Sequence, residues 1–383
     1  MRPGVCSPDE LGVSPVIGVI MILAISVVGI AATVAWGLPA IDEMKSTVEA
    51  RAVTNQFKEL DQDVKQLVSG TAEKTAKRWQ PSLTRGSIDF MSGTQRWALG
   101  YATCTQGAGT SCDDASEHSW TLAEVGDTDN EFVLKNEGST AVTVLLEAAI
   151  QNNGQTALRV NVDDDLTQMA AGVAIPSGGT QRFYVFNGAG TADQDLSTAS
   201  SSLQGAVFEI TITDFVEDEE AGRFFVYDSG EVRFRLDSTG ALKTAHLTNG
   251  AVLVGNAGNE VVDNTPGIPP PKATPDGWTF FARGVSLQGA ASFAGEDRFD
   301  VLLSLYGTNA LADEDSVAEL YVMVGGDHEA AWTAYFSESN GYDFTVETDA
   351  GSDITAFKQR IEVSGEYKPI QFTYVHSVVR VDA

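Results

Sequence analysis

LGVSPVIGVIMILAISVVGIAATVAWGLPAI, residues 11–41, carries no charged side chain over 31 positions. Wound as an α-helix at about 1.5 Å per residue, it exceeds the ~20 residues needed to cross a hydrocarbon layer about 30 Å thick. It is too long for an ordinary secretory signal, and no small-residue cleavage site follows its apolar part. Trp36 stands near one end, where an indole can occupy the boundary between lipid and water. Gly29, Thr33 and Gly37 recur every four residues and lay a stripe of small side chains along one face, which permits close approach of another helix. Residues 13–41 are therefore expected to form a membrane-inserted, helix-packing segment.

Downstream, residues 42–80 contain no Pro and a single Gly, Gly70. Val53, Phe57, Leu60, Val64 and Leu67 follow a 4-3-4-3 spacing that aligns them on one helical face. This predicts an amphipathic stalk helix over 42–82. Two readings of its apolar face stand side by side: packing on the chain's own β domain, or packing against neighbouring subunits.

Upstream, residues 1–12 form a short polar leader, MRPGVCSPDELG, ending in Gly12 and followed by Val13 and SPVIGVI at 14–20. Here the chain resembles the archaeal type IV pilin-like proteins, which carry a class III signal peptide, and SPVIGVI is similar to the opening segment of many such proteins from halophilic archaea. The resemblance covers residues 9–41. It implies cleavage between Gly12 and Val13 by a prepilin peptidase on the cytoplasmic side, with the hydrophobic helix left on the mature protein. It further implies a subunit anchored in the membrane, handled by pilus assembly machinery and associating as a homo- or hetero-oligomer through that helix. The plain alternative is a single-span anchor that is never cut.

From about residue 86 the pattern turns to short β-branched and aromatic runs separated by Gly, Asn, Asp and Ser. Strands are expected at Gln95–Thr103, Phe132–Lys135, Ala141–Ala149, Ala157–Val162, Gln181–Phe186, Ala206–Thr213, Arg223–Tyr227 and Glu231–Leu236. Others are expected at Phe299–Tyr306, Phe344–Glu347, Arg360–Val363 and Ile370–Val381, with a helix near Asp327–Ser337. The predicted class is α+β: a long N-terminal helix followed by a β-rich head over 86–383, resembling an antiparallel sandwich. PGIPPPKATPDG at 266–277 reads as a linker that splits the head or as a long loop.

The charge is sorted along the chain. Against 53 acidic residues stand 24 Lys and Arg, a net charge of −29. Residues 86–383 alone hold 44 acidic and 15 basic side chains, which accounts for all of it. Such a surface repels phosphate, so nucleic acid is not an expected partner. It keeps a head hydrated where salt is high, as outside a halophilic cell.

Cys6 lies in the leader, which leaves Cys104 and Cys112 to close a Gly-containing loop as a disulfide or to stay as thiols. Closing so short a loop would stabilise by about 2–3 kcal/mol. The four His residues, His118, His246, His328 and His376, are scattered, with no HExxH and no nearby Cys pair, so no metal site is expected. Acidic clusters at Asp127–Glu131, Asp163–Asp165, Glu217–Glu220 and Asp313–Asp315 lack an EF-hand's central Gly and distal Glu and read as solvated surface. Neither a G-x-S-x-G elbow nor a Walker loop occurs, so no enzyme and no cofactor is expected. The expected role is a pilin-like cell-surface structural or adhesion protein with its head outside the cell. The rival is a non-polymerising, membrane-anchored binding module of the envelope.

Overall fold

The computed structural model describes residues 15–69, 76–103, 120–125, 131–151, 155–162, 169–186, 206–238, 241–256, 258–264, 266–269, 271–275, 277–295, 298–326, 328–337, 345–348, 354–360, 362–363, 366–367 and 370–382. A single helix, α1 (Pro15–Ser69), runs into a head built from antiparallel strands. In the first part of the head these are β1 (Ala76–Trp79), β2 (Ser87–Thr103), β3 (Trp120–Val125), β4 (Glu131–Asn136), β5 (Val142–Gln151), β6 (Gln155–Val162), β7 (Ala171–Ile175) and β8 (Thr180–Phe186). Next come β9 (Val207–Asp214), β10 (Glu219–Ser238), β11 (Ala241–Thr248), β12 (Ala251–Asn256), β13 (Asn259–Val262), β14 (Lys272–Thr274), β15 (Gly277–Gln288) and β16 (Ala291–Ala294). The last part holds β17 (Val301–Gly326), α2 (Glu329–Phe336), β18 (Thr345–Thr348), β19 (Ile354–Arg360), β20 (Glu362–Val363), β21 (Glu366–Tyr367) and β22 (Ile370–Asp382).

Strands β2, β10 and β17 form the centre. β10 lies antiparallel along one edge of β2, from Gly222 opposite Ala102 to Arg235 opposite Ser87, and β17 takes the other edge from Val317 to Gly326. β9 and then β5 extend the sheet from the first half of β10, while β11, β12 and β13 extend it from the second half. β22 pairs antiparallel with β17 and parallel with β15, the one parallel pairing among the described strands.

Side chains on successive residues of a strand point to opposite faces, and the central strands bury both. Ala98, Ala102, Phe224, Val226, Tyr321 and Met323 face one core, shared with Leu122, Phe132 and Phe183 from strands β3, β4 and β8 that fold over it. Their neighbours Trp97, Leu99, Tyr101, Phe225, Tyr227, Leu320 and Val322 face a second core with Phe372, Tyr374 and α2's Trp332 and Phe336. Gly100 lies opposite both Phe224 and Tyr321, whose rings stack at 5.5 Å, and a Cβ there would come 2.3 Å from the Phe224 ring.

The third core joins helix to head. Val53, Phe57, Leu60, Val64 and Leu67 are all buried, against Trp79, Phe90, Val232, Phe234, Leu247, Leu303 and Val379. Phe57 meets Trp79 edge-on at 6.0 Å. Polar side chains on the flanks of this face tie the same joint. Gln56 exchanges two hydrogen bonds with the Ser82 backbone, the Thr84 amide donates to Glu49 at 2.8 Å, and Lys58 pairs Asp263 at 2.7 Å. Asp61 accepts hydrogen bonds from Lys65 and from Asn264 at 2.7 Å. Burial raises its pKa above the usual carboxylate value, against the opposing pull of Lys65 and Asn264.

The apolar face of the stalk thus packs on the chain's own head. The described part of α1 ends at Ser69, and the helix does not reach the expected limit at 82, because Ala76–Trp79 pairs with β17 and buries Trp79. Pairing overrides the helical propensity of Ala76, Lys77 and Arg78. Arg223–Tyr227 and Glu231–Leu236 belong to one long strand, β10, and β11, β12 and β15 lie outside the expected strands. The described part of 266–277 is a loop laid on the head: Ile268 is buried, β14 pairs β15, and β10 before it and β16 after it both pair β2. A helix forms at Glu329–Phe336, inside the expected 327–337.

Phe57→Ala removes the largest apolar side chain on the docked face of α1. It is expected to cost about 3–5 kcal/mol of head stability, read by chemical denaturation of the full chain in detergent with tryptophan fluorescence. A loss below ~1 kcal/mol would show that this face is not packed.

Candidate functional site

Among the described residues, two regions stand out for their chemistry. The first is the N-terminal half of α1. From Val16 to Ile41 its side chains are almost wholly exposed, and the apolar window has a mean hydropathy of 2.7 with none of it buried. The helix is long and apolar enough to cross a membrane. Gly29 and Gly37 have nothing within 4 Å of an added Cβ, and the Thr33 hydroxyl donates to the Gly29 carbonyl at 2.8 Å. The stripe of small side chains therefore faces open space. Pro39 sits inside the helix, so the Ala35 carbonyl lacks its i+4 donor, a gap that membrane helices tolerate. Gly12, Val13, Cys104 and Cys112 lie outside the described residues, as do His118, Asp127–Asn130 and Asp163–Asp165.

The second region is a polar knot within the head. β10 and β2 lose register between Ser229, opposite Gln95, and Glu231, opposite Met91, with Gly93 at φ +70° in the irregular stretch. Such a bulge bends the strand and re-aims the next side chain. Glu231 emerges from it into the interior, 1% exposed. Arg233, on the same face, binds it through two contacts of 3.0 and 3.2 Å. His246 lies opposite Arg233 on β11, and its Nδ1 contacts Glu231 Oε1 directly. His328 stands at the N-cap of α2, yet its side chain makes no capping bond. The ring turns inward instead, with Nε2 3.4 Å from Glu231 Oε1 and its centre 4.3 Å from that of His246.

Burial pushes the Glu231 carboxyl up, but the contacts with His246, His328 and Arg233 outweigh it and hold the group well below the usual carboxylate range. Burial pushes His246 down, helped by His328 and Arg233 and opposed by Glu231. At neutral pH the carboxylate is charged and His246 is neutral. Nδ1 must then carry the proton and donate it to Glu231, which leaves the Nε2 lone pair unused. That nitrogen has no hydrogen-bond partner, and neither has either nitrogen of His328. Glu260 Oε1 is the nearest acid to His246 Nε2, at 3.8 Å.

His376 takes part in a different network. Ser286 donates its hydroxyl proton to the Asp228 carbonyl at 2.7 Å, so His376 Nε2, 3.2 Å away, must be the donor to Ser286 Oγ. Its Nδ1 then accepts from Tyr374 at 3.1 Å. The Ser–His pair is closed within the core between β15 and β22, with no spare proton acceptor for a substrate. Among the acidic clusters, Asp214 caps the turn before Glu217–Glu220 by accepting from the Val216 amide, and Asp313 and Asp315 accept cross-strand bonds from Thr373 and Gln371. These are structural acceptors.

Sequence spacing brings out the helix stripe and misses the knot. Glu231, His246 and His328 come from two strands and a helix cap, and the only local signal is a His at an N-cap, a position that favours Ser, Thr, Asp or Asn. No protein-family model matches the chain, and neither a curated protein nor a solved structure matches it.

Burial pushes His376 down to about 3 from its ordinary 6.5. The unfolded chain therefore binds more protons between those values, and stability falls as pH drops through that window, by about 1.4 kcal/mol per pH unit for one proton. His376→Gln is expected to flatten the dependence of the unfolding midpoint on pH between about 6.5 and 3. An unchanged slope would place the titration elsewhere.

Proposed function

We propose that the chain is a type IV pilin-like surface protein, held in the membrane by the first half of α1 and presenting the head outside the cell. One observation carries this reading. A single continuous helix is docked on the head from Val53 to Leu67 and wholly undocked and apolar from Val16 to Ile41. Burying each such Val, Leu or Ile side chain is worth about 1.5–3 kcal/mol, so the undocked half demands lipid or other helices. Gly29, Thr33 and Gly37 give it a face on which a second helix can approach closely, whether another copy or a different subunit. Rigid attachment of that helix to the head suits a subunit that leaves the bilayer and packs its helix in a filament core.

The leader supports the same reading: Gly12–Val13 is the expected site for a prepilin peptidase, and a large, mainly antiparallel β head suits an exposed adhesive module. The acidic surface suits a salty exterior. The rival reading, an anchored envelope-binding module, shares the membrane helix and differs in cleavage and assembly.

Mass spectrometry of the protein from its host membrane is expected to find Val13 as the N-terminus; a Met1 or Arg2 start overturns the proposal. Gly37→Leu is expected to remain in the membrane fraction while surface filaments seen by electron microscopy fall at least about tenfold. Correct cleavage without filaments in the parent strain would favour the anchored binding module.

A further inference from the structure

We propose that Glu231, His246 and His328 bind one divalent transition-metal ion of the Zn²⁺ class, pinning β10, β11 and α2 together. One ligand atom from each lies within 4.8 Å of the other two, and all three residues are buried. Ligands at about 2.0–2.2 Å from a tetrahedral ion stand roughly 3.4 Å apart, so a modest rotation of the rings closes the set. His328 is free to make it: Nδ1 has no partner, and Nε2 already faces Glu231 Oε1 at 3.4 Å without forming a close hydrogen bond.

Three buried imidazole nitrogens without a partner are the observation that calls for a ligand. An unpaired buried polar atom is costly, and natural cores contain few. Here three are gathered in one place, beside the Glu231 carboxyl group and within reach of a second carboxyl group, from Glu260. For His246 to ligate beside Glu231, the ion takes the place of the proton between Nδ1 and Glu231 Oε1, and Nε2 then carries the proton toward Glu260 Oε1, 3.8 Å away, as its outer carboxylate. Arg233 holds Glu231 through both carboxylate oxygens, at 3.0 Å on Oε1 and 3.2 Å on Oε2. Two imidazoles with carboxylate oxygens select Zn²⁺, Co²⁺ or Ni²⁺ over Mg²⁺ and Ca²⁺, which take oxygen donors. Glu231 and Glu260 place two carboxylates beside the ion, one of them shared with Arg233.

The role that follows is structural. The site is closed in by the bulge of β10, by Glu260 on β13 and by the first turn of α2, so an ion held there cross-links segments far apart in sequence. The His328 carbonyl accepts from the Ala331 and Trp332 amides, and Trp332 donates to Gln95 at 3.2 Å. Fixing His328 therefore fixes the start of α2, which plugs the second core with Trp332 and Phe336. This inference is independent of membrane anchoring and of filament assembly.

The test uses the untagged full chain in detergent, stripped with chelator, with Cys6, Cys104 and Cys112 replaced by Ser to remove thiolates. Calorimetric titration with Zn²⁺ is expected to show one equivalent bound, and Co²⁺ is expected to give the ligand-field absorption of a four-coordinate N,O site. His246→Gln and His328→Asn should each weaken Zn²⁺ by more than the ~10–100-fold that losing an outer partner costs. Asn is a favoured N-cap, so His328→Asn should retain α2 and melt no lower than the metal-free parent. His376→Gln should bind Zn²⁺ like the parent. Absence of saturable binding at one equivalent, or unchanged affinity in His328→Asn, overturns the site.

Discussion

The row Val53, Phe57, Leu60, Val64 and Leu67, pressed against the strands around Trp79, Phe234, Leu247 and Val379, sets what the rest of the molecule can do. It makes the second half of α1 a part of the head, and the first half continues from it as the same helix, interrupted only by the missing backbone donor at Pro39. At about 1.5 Å per residue the exposed apolar stretch from Val16 to Ile41 is long enough to traverse a bilayer. A hinged helix could fold its apolar face back onto the head and satisfy itself. A docked one cannot, because its own anchoring face is already occupied. The exposed half must find lipid or other helices.

The head's stability comes from a sheet buried on both sides, and that choice has a cost at its edges and bends. Where β2, β10 and β17 run side by side, alternate residues feed two cores and the polar backbone is fully laddered. Where β10 bends at Ser229–Glu231, the ladder shifts and polar side chains fill the gap. Ser229 and Thr248 share a hydrogen bond at 3.0 Å, and Thr248 and Trp332 both donate to Gln95 Oε1. Glu231, with His246 and His328, extends this polar layer. The unusual chemistry of the head thus lies at the irregular point of its central strand, where a regular ladder would have left no room for it.

Much of the architecture was legible in the sequence because it depends on short-range patterns. The 4-3-4-3 spacing of Val53 to Leu67 marks a helical face, and DHEAAWTAYFS marks a short helix, since each pattern repeats within a few residues. The strand at Glu231–Leu236 was legible too, but Gly230 read as a break between strands. Gly230 in fact lets Leu287 approach, with a Cβ there only 2.2 Å from the Leu287 carbonyl oxygen. β12, which follows β11 through Asn249 and Gly250 at positive φ, hid its pattern because both faces of its first half are buried and polar–apolar alternation disappears. The three-residue polar knot was illegible for a different reason: its members meet only through pairing of β10 with β11 and the return of β17 to α2, which no local pattern encodes.

The sorting of charge gains a physical reason from the joint between helix and head. Lys58, Lys65, Lys77 and Arg85 on or near α1 each meet a carboxylate, at Asp263, Asp61, Asp63 and Asp42. The near-neutral balance of residues 42–85 is therefore spent on local pairing along the docked helix, and most of these pairs are partly exposed, worth up to ~1 kcal/mol each. Their value lies in orientation more than in energy: Lys58 reaches from α1 to Asp263 on the head, while Lys77 and Arg85 reach back from the head to Asp63 and Asp42 on α1, so charges of both signs tie the joint from both sides.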